Sequence, residues 1–315
     1  MKYNFQWSKL GLLLSPDPKV SWLAGGVGPC CAISNKQDTS IIDLYVSGRD
    51  IKNRSRIGLV RYNIKKLSIT EIIEEPVIDL GNRGAFDENG TSYPFVVREK
   101  SRLLMYYTGW IKGVHVPWYN DLGLAISTDG ISFKRFSKSP VFYRNDLDYL
   151  NIGSCCVSLD NNHWRMWYTR FEKWADEFTT HPFFYNIKSA YSTDGINWVP
   201  DNLININFKD TNEYVVAKPN VLKINQKFVM WYCFRGKYYK PGLAISSDGL
   251  NWKRFDDRVG IGVSEKGWDS EMICYPYVFD AGENFYMFYC GNKYGVEGLG
   301  LAQISKKNLL EMINV

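Results

Sequence analysis

The sequence predicts an all-β protein, a five-bladed β-propeller with four antiparallel strands per blade, whose N-terminal strand closes the last blade. Three observations predict it. A turn cassette recurs as Ser127-Thr128-Asp129-Gly130-Ile131-Ser132-Phe133, Ser192-Thr193-Asp194-Gly195-Ile196-Asn197-Trp198 and Ser246-Ser247-Asp248-Gly249-Leu250-Asn251-Trp252. An apolar strand with an aromatic pair recurs at 44–48, 105–109, 166–170, 230–234 and 287–291. Taking Tyr45, Tyr107, Tyr168, Tyr232 and Tyr289 as equivalent gives steps of 62, 61, 64 and 57 residues, close to 63, a fifth of the 315-residue chain. Self-similarity at such an interval, with four short strands per repeat, marks radial repetition of small sheets.

Each unit reads in a constant order. First strands begin at Pro29, Pro94, Ser154, Pro219 and Pro276, and the aromatic strand follows. Third strands begin at Gly58, Gly123, Lys188, Gly242 and Gly300; the Asp-Gly turn and an edge strand such as 252–255 complete the unit. After Gly300 too little chain remains for an outer strand. Residues 7–14 are apolar enough to supply it, which would remove a free sheet edge. The whole chain, 1–315, then reads as one propeller domain.

In the cassette, Asp accepts local backbone N–H bonds, Gly supplies positive φ, and the following aromatic anchors the outer strand. Asp129, Asp194 and Asp248 therefore read as structural.

Composition fits one packed body. The chain is 45% hydrophobic and 16% aromatic. No stretch approaches the length of a membrane span and no leader-like core is visible, so a cytoplasmic protein with no membrane partner is expected. The seven cysteines include the adjacent pairs Cys30-Cys31 and Cys155-Cys156. Neighbours in a strand face opposite sides, so these read as buried reduced thiols. No Cys/His spacing marks zinc, and no metal or cofactor is expected. A net charge of +5, with bases mixed among acids and no recognised motif, argues against a nucleic-acid partner.

Function is sought where the repeat is broken at the axial end of the blades. Asp87 and Asp269 both stand seven residues before a proline, but Glu271 has Asn89 as its counterpart. Glu271 is therefore the leading acid–base candidate, with Asp87 as opposite carboxylate and Glu172 in reserve. Loops after the aromatic strands bring Arg49, Trp110, Arg170, Arg235 and Asn292, with Trp174 and Tyr238 nearby. Arginine forks grip carboxylates or phosphates, and aromatic faces stack on sugars. Alternatively the arginines pair with acids such as Asp50 and Glu172. Lys218, Tyr93 and Tyr275, each just before a proline, are expected to face the channel. His115 and His181 lie in two long aromatic insertions, 111–120 and 171–186, expected to form rims or lids.

With Gly267-Trp268-Asp269-Ser270-Glu271-Met272 before Tyr275-Pro276, and Tyr289-Cys290-Gly291-Asn292-Lys293-Tyr294-Gly295 before Gly298-Leu299-Gly300, the chain resembles the five-bladed propeller glycosidases. That superfamily spans arabinanase-like and invertase-like hydrolases and the mannoside phosphorylases. The nearest resemblance is to uncharacterised glycosyl-hydrolase-like proteins found with bacterial surface-polysaccharide genes. It implies a carbohydrate-active enzyme working on a small carbohydrate, a sugar phosphate or a nucleotide sugar. Where the hydrolases carry an essential Asp at the start of blade one, this chain reads Gly25-Gly26-Val27-Gly28-Pro29. That departure leaves a sugar-binding propeller without catalysis, or a structural interaction module, as rival readings.

Overall fold

The computed structural model describes residues 6–160, 163–175 and 183–313. Among these residues the fold is all-β apart from two short 3-10 turns and one helix. Strand β1 (Ser8–Leu14) stands alone at first, and the strands after it run in antiparallel sets, of which the first and second join by a parallel contact at Ser55 opposite Gly90 and the third and fourth at Tyr185 opposite Val215. The first set is β2 (Gly26–Ser34), β3 (Ile41–Arg49), β4 (Ser55–Asn63) and β5 (Ser68–Ile72); the second is β6 (Gly90–Glu99), β7 (Arg102–Lys112), β8 (Trp118–Ser127) and β9 (Lys134–Arg135). The third is β10 (Ile152–Asp160), β11 (His163–Trp174), β12 (Phe183–Ser192) and β13 (Val199–Ile206). Next come β14 (Val215–Ile224), β15 (Lys227–Arg235), β16 (Tyr239–Ser246) and β17 (Lys253–Arg254). The last is β18 (Cys274–Asp280), β19 (Asn284–Cys290) and β20 (Leu299–Ser305), followed by α1 (Lys306–Ile313). Strand β1 pairs antiparallel with β20, from Ser8 opposite Gln303 to Leu14 opposite Leu299, and so becomes the fourth strand of that sheet. Among the described residues no helix is long and apolar enough to cross a membrane.

Three sequence expectations about register are corrected. The prolines do not open the first strands. Each of those strands starts earlier and carries a bulge, between Val27 and Cys30, Ser92 and Phe95, Ile152 and Cys155, Ala217 and Asn220, and Cys274 and Tyr277. A bulge is where a residue without an N–H is tolerated inside a sheet. Second, Val46, not Tyr45, shares a position with Tyr107, Tyr168, Tyr232 and Tyr289: these five face Gly58, Gly123, Lys188, Gly242 and Gly300 across the ladder. Those glycines lie inside their strands because a Cβ there would strike Trp22, Tyr107, Tyr232 or Trp268. Third, 111–120 is not a loop: β7 and β8 stay paired out to Lys112 opposite Trp118. Strands β11 and β12 likewise pair out to Trp174 opposite Phe183, and Trp118 meets both of these rings. His181 lies outside the described residues.

Tyr45, Tyr106, Trp167 and Trp231 then form their own series, and what they do explains the cassette. Tyr45 donates to Gly130 O (2.9 Å), Tyr106 to Gly195 O (2.7 Å) and the Trp167 indole to Gly249 O (2.8 Å). Each side chain thus reaches the Asp-Gly turn of the next set. The cassette aromatic closes on it edge-on: Phe133 on Tyr45, Trp198 on Tyr106 and Trp252 on Trp167. The last set has α1 in place of that turn, and the buried indole N–H of Trp231 has no partner among the described residues. Helix α1 covers this position by apolar packing instead, placing Leu309, Met312 and Ile313 in a core cluster with Trp231.

A second repeated device anchors the outer strands. Tyr107, Tyr168, Tyr232 and Tyr289 donate to Asp87, Asp148, Asp256 and Asp269. The outer strand supplies a cation to three of these carboxylates: Arg135 from β9 to Asp87, Arg254 from β17 to Asp256, and Lys9 from β1 to Asp269. The N-terminal strand therefore brings the ion-pair partner as well as the hydrogen bonds.

Candidate functional site

The bulges of the first strands shape one end of the molecule. Tyr93, Lys218 and Tyr275, each preceding its proline, have φ of 50°, 58° and 56°. Left-handed backbone at a large side chain costs roughly 1–3 kcal/mol and persists only where its surroundings impose it. At the same place in the other two bulges stand Gly28 and Gly153, so large and small residues share this position.

Above these bulges the side chains form an aromatic cluster. Tyr93 meets Tyr275 edge-on at 5.5 Å, Tyr275 meets Tyr239 at 5.7 Å, and Tyr239 meets Tyr294 at 5.9 Å. The Arg235 guanidinium lies over Tyr214, Tyr239 and Tyr294 at 5.4, 5.4 and 5.7 Å. No carboxylate pairs with it among the described residues. Tyr185, stacked on Phe183 at 4.6 Å, adds another phenol. Burial pushes the phenols of Tyr93, Tyr185, Tyr239 and Tyr275 well up, so they stay neutral and keep an O–H. Tyr185, Tyr214 and Tyr239 are buried, while Tyr294 is exposed beside the half-buried Arg235; that ring face and that fork are what the cluster offers to a sugar ring and an anion.

Arg49 stands on the same side, close enough for its charge to be felt by Tyr93. Its guanidinium donates to Asn53 O (3.0 Å) and Oδ1 (3.2 Å) and is otherwise exposed. Glu271 is exposed, and its carboxylate has no hydrogen-bond or ion-pair partner among the described residues. Its backbone N donates to Asn292 Oδ1 at 2.8 Å, and two residues on Ile273 N donates to Tyr239 O at 3.4 Å, tying this loop to the cluster.

Other expected site residues are engaged elsewhere. Asp87, 1% exposed, is filled by Tyr107 (3.0 Å) and Arg135 (2.8 Å), in the same arrangement as Asp269. Its recurrence three times more marks an anchor of the sheet. Arg170 pairs with the buried Asp148 (3.1 Å) and with Glu172, which also accepts from Asn186 Nδ2 (3.0 Å). The ion-pair reading of Arg170 and Glu172 therefore stands over the ligand reading. Trp110 spends its indole N–H on Ser55 Oγ at 2.7 Å, and Asn292 braces the 267–272 loop through Gly267 O at 3.0 Å. His115 is exposed at a hairpin tip. Lys218, expected to face the channel, is 1% exposed, so it is enclosed instead of lining an open mouth. Sequence reasoning missed Tyr185, Tyr214, Tyr239 and Tyr294, and named the exposed Tyr238 in place of its buried neighbour. The available signal was that Tyr239 opens a third strand beside Arg235. Among the described residues no His, Cys, Asp and Glu gather as a metal site.

This all-β architecture is shared with propeller enzymes of the glycoside-hydrolase kind. The solved structure of a glycoside hydrolase superposes with a TM-score of 0.74 at 18% identity, covering 94% of this chain and 91% of that one. A structure from the GH130 family of mannoside phosphorylases, which contains glycoside hydrolases that target β-1,2 mannosidic linkages in Candida mannan, gives 0.72 at 15% identity, covering 96% and 94%. A thermostable family-43 glycoside hydrolase gives 0.68 at 16% identity, covering 89% of each chain. No family model matches the sequence. The chain belongs to the family of Uncharacterized protein Rv1502 of Mycobacterium tuberculosis (strain ATCC 25618 / H37Rv), at 35% identity over 297 residues, 94% of this chain and 98% of that protein. Uncharacterized protein MT1551 of Mycobacterium tuberculosis (strain CDC 1551 / Oshkosh) matches to the same extent.

Proposed function

We propose that the chain is a single-domain, five-bladed propeller that acts on carbohydrate, cleaving or transferring a glycosyl group of an anionic or phosphorylated sugar at the axial mouth. The observation that carries this reading is Arg235, half-buried among Tyr214, Tyr239 and Tyr294 without a carboxylate among the described residues. A guanidinium in such an aromatic setting suits a phosphate or carboxylate held against a sugar ring. Arg49 would extend the same grip.

Glu271 supplies the acid. As the glycosidic C–O bond breaks, its carboxyl protonates the departing oxygen, and the anomeric carbon bonds to the incoming nucleophile oxygen. Asp87 and Glu172 are tied to arginines, so neither is free to activate water. A bound phosphate needs no such base, which favours phosphate as nucleophile over water. Similarity to polysaccharide-linked propellers suits a role in surface-polysaccharide metabolism.

The rival reading, a sugar-binding propeller without catalysis, draws on the same engaged carboxylates. A screen of activated aryl glycosides, sugar phosphates and nucleotide sugars, with and without inorganic phosphate, separates the two. Turnover that needs phosphate and is lost in Glu271→Gln supports the enzyme. Sugar binding seen by calorimetry with no turnover supports the binder, and the absence of both binding and turnover refutes both readings.

A further inference from the structure

Lys218 is a cationic side chain with no charge to meet among the described residues. It is 1% exposed, and its Nζ has no hydrogen-bond partner there. The positive-φ bulge directs it inward, its backbone N donating to Thr169 Oγ1 (3.1 Å) and its Nζ lying 5.5 Å from the Tyr277 ring centre. Two residues on, Asn220 is equally buried. It accepts from Val278 N (2.7 Å) through Oδ1, while Nδ2 has no partner among the described residues. Lys218 Nζ thus faces the Tyr277 ring and Asn220 Oδ1 the next amide of β18, and each side chain keeps unused donors. Cys30, Cys31, Cys155 and Cys156 are close enough to feel the lysine charge. Burial nevertheless holds these thiols up, Cys156 to about 12, so none supplies a thiolate.

A buried ammonium without counter-charge is strongly unfavourable, and native structures satisfy such groups. The unmet groups here are donors only. Water would bring two hydrogens of its own, whereas an anion is purely an acceptor. Nζ itself is sealed from solvent, which favours a single atom over phosphate. We infer that Lys218 Nζ and Asn220 Nδ2 hold a halide ion, chloride under ordinary conditions, inside the axial channel. This site shares none of its residues with the Arg235 cluster and does not depend on the function proposed there. The ion balances the lysine and ties β14 to β18.

The test uses the full chain dialysed free of halide, then melted in sodium bromide and in sodium gluconate at equal ionic strength. Melting should be higher in bromide by about 2 °C or more, because a ligand of the native state stabilises it. Lys218→Met should lose that difference. Should this variant not fold, crystals of the unaltered protein grown in bromide decide the matter, with an anomalous peak within hydrogen-bonding reach of Nζ. Absence of that peak, or an equal bromide effect in a folded Lys218→Met protein, overturns the inference.

Discussion

Two acids with opposite surroundings give the sharpest comparison between single residues. Glu271 has a free carboxylate on a loop tied to Tyr239, so Glu271→Gln should leave melting unchanged and lower turnover about a hundredfold to ten-thousandfold. Asp194 accepts Ile196 N and Asn197 N at 2.8 Å, so Asp194→Asn should touch stability alone, by about 1 kcal/mol. Turnover that survives Glu271→Gln would remove Glu271 from the chemistry. Arg235→Ala should weaken the calorimetric binding of a sugar phosphate while sparing the fold; unchanged binding would make Arg235 a structural packing residue. The turn acids also set an acid limit. Backbone bonds from Ile131 and Ser132 hold Asp129 down to about 2; at Asp194 partial burial opposes, but amides of Asn197 and Ile196 outweigh it, again to about 2. Both lie below the ordinary 3.8, so their contribution is complete above about pH 4 and is lost as pH falls through 2. Melting temperature should drop across that window, and less so in the double Asn variant. These turn roles were legible because Ser, Asp and Gly act on neighbours in sequence. The tyrosine cluster was not, because Tyr214 and Tyr239 stand at separate strand starts and Tyr294 in a 3-10 turn, and only folding brings them over Arg235.

Among the elements, the side chains that reach the next turn make a controlled series. Tyr106→Phe leaves Gly195 O without its donor and should cost about 1 kcal/mol in denaturant unfolding. Trp231→Phe removes an indole N–H that has no partner among the described residues, so its loss should reflect volume only. If both variants lose the same amount for the same volume removed, the hydrogen bond contributes nothing. The N-terminal strand is a second case. Removing residues 1–14 bares the edge of β20 and leaves Asp269 without Lys9, so the truncated protein should melt lower as a whole. A wild-type melting curve would show the strand to be dispensable. The recurrence of strand sets was readable from aromatic spacing, yet the register slipped by one in the first set. Tyr45 offered an aromatic where Val46 held the equivalent place, since Trp22 fills the space that the later tyrosines occupy.

For the molecule as a whole, the seven cysteines are all free and buried. Titration of the denatured, unreduced protein should return seven thiols, and three or fewer would overturn the reduced state. The architecture was legible from sequence because a repeat shows itself several times over. The site was less so, because carboxylates such as Asp87 look catalytic until the partner that neutralises each one is known. The pairing of β1 with β20 has a further, kinetic meaning. It joins residues 8–14 to residues 299–303, so it closes the longest loop among the paired strands and gains nothing until almost everything between is ordered. Folding should therefore end with this contact and unfolding begin there. Amides of β1 should exchange with solvent ahead of those in β7 or β15, making the lifetime of the native state a property of seven residues at its edge.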